Sequence, residues 1–389
     1  MPRSRLVALL AAALLVPAAC GAAPFRFPEA RFGKKAELKY VNKVPVLVVE
    51  GTPEEIGTAA GTLVVKPAVR VLDYPRGLIE HFSGRGLGAL LWKQAIVQGR
   101  AMEKHFPADY HKELKAMEKA SGAPWESLVA GNTLFDIKKL VLCSALLVEG
   151  DRSATGGPLV GRNLDYPSLG YVQDYSLVTV YRPKGKHAFV SVGFPGLIGC
   201  LSGMNDAGLT VAVLEVFGAR KGEGRFDSTG IPYALNYRTL LEECATIEEA
   251  QKRLEKLPRT TIMNLIVADR RRVGVFEITP KTVVFRPAEK GTCSCTNHFL
   301  TEVKPAKPVD MAHSYDRFDS LEAARKLKGR LTVEDVRREL DKVNLGSLTL
   351  QTMVFEPATL KLHLGIGETP SSAMKLRALD LAPLLKPKR

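Results

Sequence analysis

One cysteine of this 389-residue chain lies where its thiol could act as a nucleophile. Cys143 belongs to the apolar run 140–148 (LVLCSALLV), and most cysteines in such runs are small buried hydrophobic residues. A cysteine attacks carbonyl groups as the thiolate, and a neighbouring cation favours that form. The reactivity of Cys143 therefore depends on which charged residues the fold brings beside it.

The residues after Cys143 predict a β-hairpin that supplies such a cation. Turn-forming residues fill 150–157 (GDRSATGG), and a second apolar run follows them. Pairing about the middle of this segment places Cys143 opposite residue 164, so that Arg162 and Asp165 come within side-chain reach. Arg162 would bias the thiol toward thiolate, and Asp165 would accept hydrogen bonds from an amine or hold the arginine. A structural ion pair at the end of a strand accounts for these two residues equally well.

Further elements that could position these residues are predicted on both sides of the hairpin. Residues 44–49 are expected to form a strand, and Thr52, Pro53 and Glu55 begin a helix with a capping box. Helices continue to about residue 132, whereas 24–43 are expected to form an arm with little regular structure. Strands are predicted at 144–149, 158–163, 175–182, 187–193, 209–214, 260–268, 273–279, 282–286, 349–355 and 361–365, and helices at 233–244, 247–257, 315–327 and 332–343. This grouping predicts a layered α+β fold.

Six segments, in order along the chain, resemble motifs of one enzyme family. They are 49–57 (VEGTPEEIG), 143–146 (CSAL), 161–166 (GRNLDY), 203–209 (GMNDAGL), 295–299 (CTNHF) and 314–318 (SYDRF). The family is the penicillin acyltransferase-type (acyl-coenzyme A:6-aminopenicillanic acid acyltransferase-like) group of cysteine N-terminal-nucleophile (Ntn) hydrolases, which is related to choloylglycine hydrolase. The resemblance covers about residues 44–320, and its strength lies in the shared order of the motifs.

The resemblance implies a fold and a self-activating mechanism. The fold would be a four-layer αββα Ntn-hydrolase sandwich with an N-terminal helical segment. The precursor would cut itself between Leu142 and Cys143, and the freed α-amine would serve as the general base. The processed enzyme would hydrolyse or transfer the acyl group of a small-molecule amide through a thioester, without any cofactor.

The same resemblance assigns roles to residues far from Cys143 in the chain. The side-chain N–H of Asn297 and a backbone N–H near Glu215 would bind the oxyanion. Asp165 would orient the α-amine. Arg162 and Arg317 would support the thiolate or an anionic part of the substrate.

The chain is expected to divide into three parts, the first of which directs export. In residues 1–23 a basic start precedes the apolar run 6–16, as in a secretory signal peptide. The small residues before Cys20 also resemble a bacterial lipobox, in which Cys20 would carry a lipid and associate with the membrane. Residues 24–142 would form a mainly helical α-chain or propeptide segment, and 143–389 the catalytic β-chain. The two fragments would stay associated in the periplasm, outside the cell or on the envelope.

The amino-acid composition limits the classes of molecule that this chain is expected to bind. The net charge of +14 favours an anionic substrate slightly. The basic residues are scattered without a stripe of interleaved aromatics, which argues against nucleic-acid binding. Cys293 and Cys295 lack the C-x-x-C spacing of a metal or redox motif, and no metal site is expected. If Cys20 belongs to the leader, an odd number of cysteines remains, so at least one thiol stays unpaired.

Two other functions fit parts of the sequence. Cys143 and His298 could form a thiol hydrolase dyad on an uncleaved chain. The chain could also be a non-catalytic, envelope-anchored binding protein that retains the fold. The combination of cysteine, arginine, aspartate and asparagine at the family positions favours the processed enzyme, because a binding protein has no chemical need for that set.

Overall fold

The computed structural model describes residues 23–386. Cys20 and nearly all of the predicted signal segment lie outside this part. The strands are β1 (Ala30–Phe32), β2 (Ala36–Val41), β3 (Val44–Gly51), β4 (Leu142–Val148), β5 (Leu159–Asp165), β6 (Leu177–Pro183), β7 (Phe189–Gly193), β8 (Ser202–Asn205), β9 (Thr210–Glu215), β10 (Met263–Ala268), β11 (Val273–Ile278), β12 (Val283–Pro287), β13 (Thr292–Cys295), β14 (Thr349–Glu356), β15 (Lys361–Ile366) and β16 (Arg377–Asp380). The helices are α1 (Pro53–Ala60), α2 (Tyr74–Ser83), α3 (Arg85–Glu103), α4 (Ala108–Ser121), α5 (Trp125–Ile137), α6 (Tyr233–Glu243), α7 (Ile247–Lys256), α8 (Ser314–Glu322), α9 (Val333–Lys342) and α10 (Ala382–Leu385).

These strands form two sheets. Ten of them form one sheet in the order β1-β2-β3-β6-β7-β8-β9-β10-β11-β12, and six form a second in the order β13-β4-β5-β14-β15-β16. All neighbouring strands are antiparallel except β3 and β6, which are parallel. The sheets face each other where β4 contacts β9 and β11.

Helices cover the outer face of each sheet. Helix α1 packs on β3 and β6, and α6 packs on β8 and β9. On the other side, α9 packs on β4, β5 and β14. The predicted four-layer α+β arrangement is confirmed. Strands β4 and β5 lie between the facing sheet and α9, which explains why every residue of both strands is buried.

The predicted hairpin register is confirmed. β4 and β5 are antiparallel neighbours, and Cys143 pairs with Leu164. The capping box at the start of α1 is present too, because the Thr52 hydroxyl accepts from the Glu55 amide while the Glu55 carboxylate accepts from the Thr52 amide. The turn-forming residues after β4 and the capping residues before α1 were sufficient to predict these two local structures.

Several strands differ from the sequence prediction. Residues 24–43 contain β1 and β2 instead of an irregular arm, and β8, β13 and β16 were not predicted. Strands β1, β13 and β16 have four residues or fewer, too few for an alternating pattern to stand out. Through β1–β3 the region before Cys143 contributes strands to the larger sheet, so its interpretation as a separate chain after cleavage stays a prediction.

Two further observations concern the described residues 23–386. No helix there is long and apolar enough to cross a membrane. The five cysteines of this part are all buried free thiols: Cys143, Cys200, Cys244, Cys293 and Cys295. The expected unpaired cysteine is therefore one of five.

Candidate active site

Cys143 lies at the second position of β4, with its side chain fully buried. Arg162 projects from the neighbouring strand β5, and its Nη2 donates to Cys143 Sγ over 2.7 Å. The guanidinium is held in place by Ser202 Oγ, which accepts from Nη1 at 2.5 Å, and by the Val213 carbonyl, which accepts from Nη2 at 2.8 Å. The pair predicted from the hairpin is thus formed.

Arg162 biases Cys143 toward the thiolate as predicted, but burial outweighs this bias in the intact chain. Burial raises the pKa of the Cys143 thiol to about 12, although the charge of Arg162 lowers it. The negative charges of Asp165 and Glu215 add to the upward shift. A single nearby cation does not offset the loss of water around a buried sulfur. The thiol of the uncleaved chain is therefore protonated at neutral pH.

Asp165 ends β5 and is completely buried. Its Oδ1 accepts from Thr349 Oγ1 at 2.5 Å, while its Oδ2 has no hydrogen-bond partner within residues 23–386. Burial raises the pKa of Asp165 to about 6, against the lowering effect of Arg317, Thr349 and Arg162. A buried carboxylate with one unpaired oxygen and a pKa of about 6 is suited to accept a proton.

Asn297 and Arg317 hold the backbone of Cys143 from either side. The Cys143 amide donates to Asn297 Oδ1 at 3.1 Å, and Arg317 Nη1 donates to the Cys143 carbonyl at 2.7 Å. Arg317 Nη2 also donates to Asn297 Oδ1 at 2.8 Å, which links the two residues. The structure thus brings together all five predicted side chains: Cys143, Arg162, Asp165, Asn297 and Arg317.

Glu215 meets this group through its carbonyl oxygen, which accepts from Asn297 Nδ2 at 2.8 Å. One N–H of the Asn297 side-chain amide is therefore donated to Glu215 in the intact chain. The role of a backbone N–H near Glu215 in binding the oxyanion stays a prediction. The Glu215 side chain also takes part, because its Oε2 accepts from the Val141 amide at 3.0 Å. Burial raises the pKa of this carboxyl to about 8.

The contacts of His298 are with residues other than Cys143. Its Nδ1 lies 2.8 Å from Ser314 Oγ and 3.2 Å from Thr296 Oγ1, and its ring stacks on Tyr315 at 3.9 Å between centroids. Burial lowers the pKa of His298 to about 4. None of its hydrogen bonds to the described residues reaches Cys143.

Several residues that hold the site were not predicted from the sequence. Lys139 and Asp136 lie just before the nucleophile, and Ser202 and Ser314 anchor Arg162 and the residue 296–298 turn. The position of Lys139 directly before the apolar run 140–148 could have indicated a role near the site. The two serines carry no local signal, because their roles depend on strand pairing.

A small apolar cleft, with a volume of about 60 Å³, lies at Tyr166. Its wall includes Tyr166, which follows Asp165 directly, and the N-terminal helices supply much of the rest. The lining residues are Val71, Leu72, Tyr74, Pro75, Ser127, Leu128, Gly131, Phe135, Tyr166, Val172, Phe194, Pro195, Gly196 and Leu197. Within the described part of the chain no cluster of three or more His, Cys, Asp or Glu side chains is arranged to hold a metal ion.

Comparison with known proteins gives one family match. The family profile described as acyl-coenzyme A:6-aminopenicillanic acid acyl-transferase matches residues 152–369. The matched range begins after Cys143 and includes the other four predicted side chains.

Individual relatives are distant. Protein dcd1B of Dictyostelium discoideum is 25% identical over 251 residues, which cover 58% of this chain and 48% of that protein. Acid ceramidase of Balaenoptera acutorostrata scammoni is 21% identical over 275 residues, covering 62% of this chain and 68% of that protein. The chain thus spans about half the length of dcd1B. Among solved structures, the Caenorhabditis elegans N-acylethanolamine-hydrolyzing acid amidase ortholog is 17% identical with a TM-score of 0.42, covering 56% of this chain and 93% of that one.

Proposed function

The chain belongs to the acyl-coenzyme A:6-aminopenicillanic acid acyl-transferase family, and from this premise we propose that it is a self-processing N-terminal-cysteine amidohydrolase or acyltransferase. Its family is related to Ntn amidohydrolases that act on carbon–nitrogen bonds. The observation that carries the proposal is the contact of Cys143 Sγ with Arg162 at 2.7 Å. The carboxyl of Asp165, which has one unpaired oxygen, acts on the same thiol through its charge.

Self-cleavage begins at the peptide bond between Leu142 and Cys143. The Cys143 sulfur attacks the Leu142 carbonyl carbon, and its thiol proton passes to Asp165. The carbon–nitrogen bond then breaks, the nitrogen takes up the proton as an amine, and the acyl group remains on sulfur as a thioester. Water adds to that carbon, which leaves a carboxyl on Leu142 and returns a proton to the sulfur. Arg162 stabilises negative charge on the sulfur throughout.

The freed amine of Cys143 provides the base for the second reaction. An α-amino group has a pKa of about 7.7–8.0, so part of it is neutral near pH 7. It takes the thiol proton, the sulfur attacks a substrate amide, and the leaving amine departs with a proton. Asn297 Nδ2, once released from the Glu215 carbonyl, can donate to the oxyanion. Water or a second amine then accepts the acyl group.

The apolar cleft supports a substrate with an apolar acyl group. Aromatic side chains, among them Tyr74, Phe135, Tyr166 and Phe194, form its wall together with aliphatic ones. Burial of apolar surface against this wall favours the binding of an apolar acyl chain. Acid ceramidase, whose name denotes an enzyme acting on a ceramide, is among the relatives. Because Cys143 is fully buried, the residues before it must move after cleavage to connect the cleft with the sulfur.

Export is a separate part of the proposal. The basic start and apolar run of residues 1–23 support secretion, with Cys20 as a lipid-attachment residue. Mass spectrometry of the mature N-terminus after expression in a bacterial host tests it, since an intact Met1 would contradict export.

The uncleaved Cys–His dyad and the binding protein are disfavoured by specific observations. The His298 contacts are to Ser314, Thr296 and Tyr315, and its pKa of about 4 leaves it a weak base. A protein that only binds a ligand would not require a buried arginine, Arg162, that donates a hydrogen bond to the buried thiol of Cys143.

A denaturing gel with intact-mass analysis tests the function. Wild-type protein is expected to give two fragments that meet between Leu142 and Cys143. Cys143→Ala is expected to give one chain, whereas Cys293→Ala, another buried free thiol, serves as the matched control and is expected to cleave normally. An intact wild-type chain that also fails to release amine from an acyl-amide library contradicts the proposal.

A further inference from the structure

A half-buried lysine four residues before the nucleophile reaches two backbone carbonyls. Lys139 Nζ donates to the Val216 carbonyl at 2.7 Å and to the Ile262 carbonyl at 2.6 Å. Val216 directly follows β9 and Ile262 directly precedes β10, which are antiparallel neighbours. One ammonium therefore ties the chain before Cys143 to two adjacent strand ends of the opposite sheet.

The charges around Lys139 favour this placement. Asp136 and Glu215 both stabilise the ammonium, although burial lowers the pKa of Lys139 to about 8. Asp136 is itself fixed, since it accepts from the Tyr233 amide at 3.1 Å and from the Thr260 hydroxyl. Lys138, the preceding residue, is exposed. Of these two adjacent lysines, Lys139 is the one whose ammonium reaches backbone carbonyls of the opposite sheet.

The anchor at Lys139 is followed immediately by contacts around the scissile bond. The Val141 amide donates to Glu215 Oε2 at 3.0 Å, and Glu215 directly precedes the Val216 carbonyl that Lys139 binds. On the other side of the bond, the Cys143 amide is held by Asn297 and its carbonyl by Arg317. The peptide between Leu142 and Cys143 is therefore fixed on both sides, and Lys139 anchors the upstream side.

We propose that Lys139 is a positioning residue for self-cleavage, which holds residues 139–142 against the ends of β9 and β10 so that the Leu142 carbonyl stays within reach of the Cys143 sulfur. This inference rests on the proposed function, because it concerns the same cleavage. Attack requires the reacting atoms to be held at near-contact distance, and small displacements lower the rate strongly. An ammonium fits the position because two strand-end carbonyls need donors.

The test compares three variants by the rate at which the two fragments appear. Lys139→Met keeps the side-chain length but removes the donors, and it is expected to slow cleavage at least about tenfold. Lys139→Arg retains donors and charge and is expected to restore part of the rate. Lys138→Met is the matched control and is expected to cleave like wild type. Wild-type rates in Lys139→Met, or an equal loss in Lys138→Met, would overturn the inference.

A second measurement is independent of cleavage. Hydrogen exchange in the Cys143→Ala chain is expected to show faster exchange at the amides of residues 141 and 143 when Lys139→Met is added, with protection elsewhere unchanged. If wild-type protein does not cleave, the proposed function fails, and the exchange experiment still decides whether Lys139 fixes this segment. Unchanged exchange at both amides would overturn the anchoring, and a uniform loss of protection would show a general stabilising role instead.

Discussion

Replacing Arg238 by methionine is expected to destabilise the protein by about 3–5 kcal/mol. Arg238 lies on α6, after the predicted cleavage point, and its side chain is 2% exposed. It bonds the carboxylate of Glu113 with two nitrogens, Nη1 at 2.9 Å and Nη2 at 2.6 Å. Glu113 lies on α4, before the cleavage point, so the pair joins the two predicted fragments.

The magnitude follows from the burial of the whole group. Arg238 Nε also donates to Glu242 Oε1 at 2.8 Å, and the guanidinium lies over the rings of Tyr110 and Tyr181 at 4.5 and 4.6 Å. Methionine fills a similar volume but leaves the Glu113 carboxylate buried without its partner. Removing one member of a buried pair costs about 3–5 kcal/mol, whereas an exposed pair contributes about 0–1 kcal/mol.

Urea unfolding followed by circular dichroism measures this loss in the Cys143→Ala background, where every variant remains one chain. The matched control is Arg253→Met, because Arg253 pairs with Glu243 at 2.7 Å while both side chains are more than a third exposed. Adding Glu113→Gln to Arg238→Met is expected to cost less than the sum of the single changes. A loss below about 1 kcal/mol for Arg238→Met, or one equal to that of the control, would refute the reasoning.

Three further changes test the site and its support. Arg162→Met removes a charge-assisted hydrogen bond of about 1.5–3 kcal/mol and is expected to slow self-cleavage roughly 10- to 150-fold in a gel time course; an unchanged rate would contradict its role at the sulfur. Because the pKa of Asp165 is about 6 and its carboxylate takes the thiol proton, the cleavage rate is expected to rise with pH through about 6 and then level off. Asp165→Asn is expected to abolish that rise, and a pH profile that it leaves unaltered would exclude Asp165 as the base. Gly161→Ala places a methyl group against Val336 of α9 and is expected to cost about 1–3 kcal/mol in urea unfolding, where no change would show that α9 gives way.

The site was predictable where local pattern determines geometry. The turn-rich segment after β4 sets the hairpin register, and the register alone places Arg162 beside Cys143. The positions of Asn297 and Arg317 depend on β13 and α8, which reach the site only through tertiary packing. For those two residues the family resemblance was necessary, because their separation in sequence carries no spatial information.

The electrostatic state of the site was not predictable from neighbours in sequence. The prediction that Arg162 biases Cys143 toward the thiolate considered the charge of Arg162 but could not include the burial of the Cys143 sulfur between two sheets. The Glu215 side chain and Lys139 were missed for the same reason. Each gains its role from a strand end that is distant along the chain.

The central claim is that Cys143, as the first residue of a freed chain, carries the acyl group. The most direct measurement is mass spectrometry of the protein rapidly quenched with acid during turnover of an apolar acyl amide. We expect a C-terminal fragment that begins at Cys143 and whose mass is increased by the acyl group, with the added mass on the peptide that contains Cys143. Turnover with the label on another residue, or on an uncleaved chain, would contradict it.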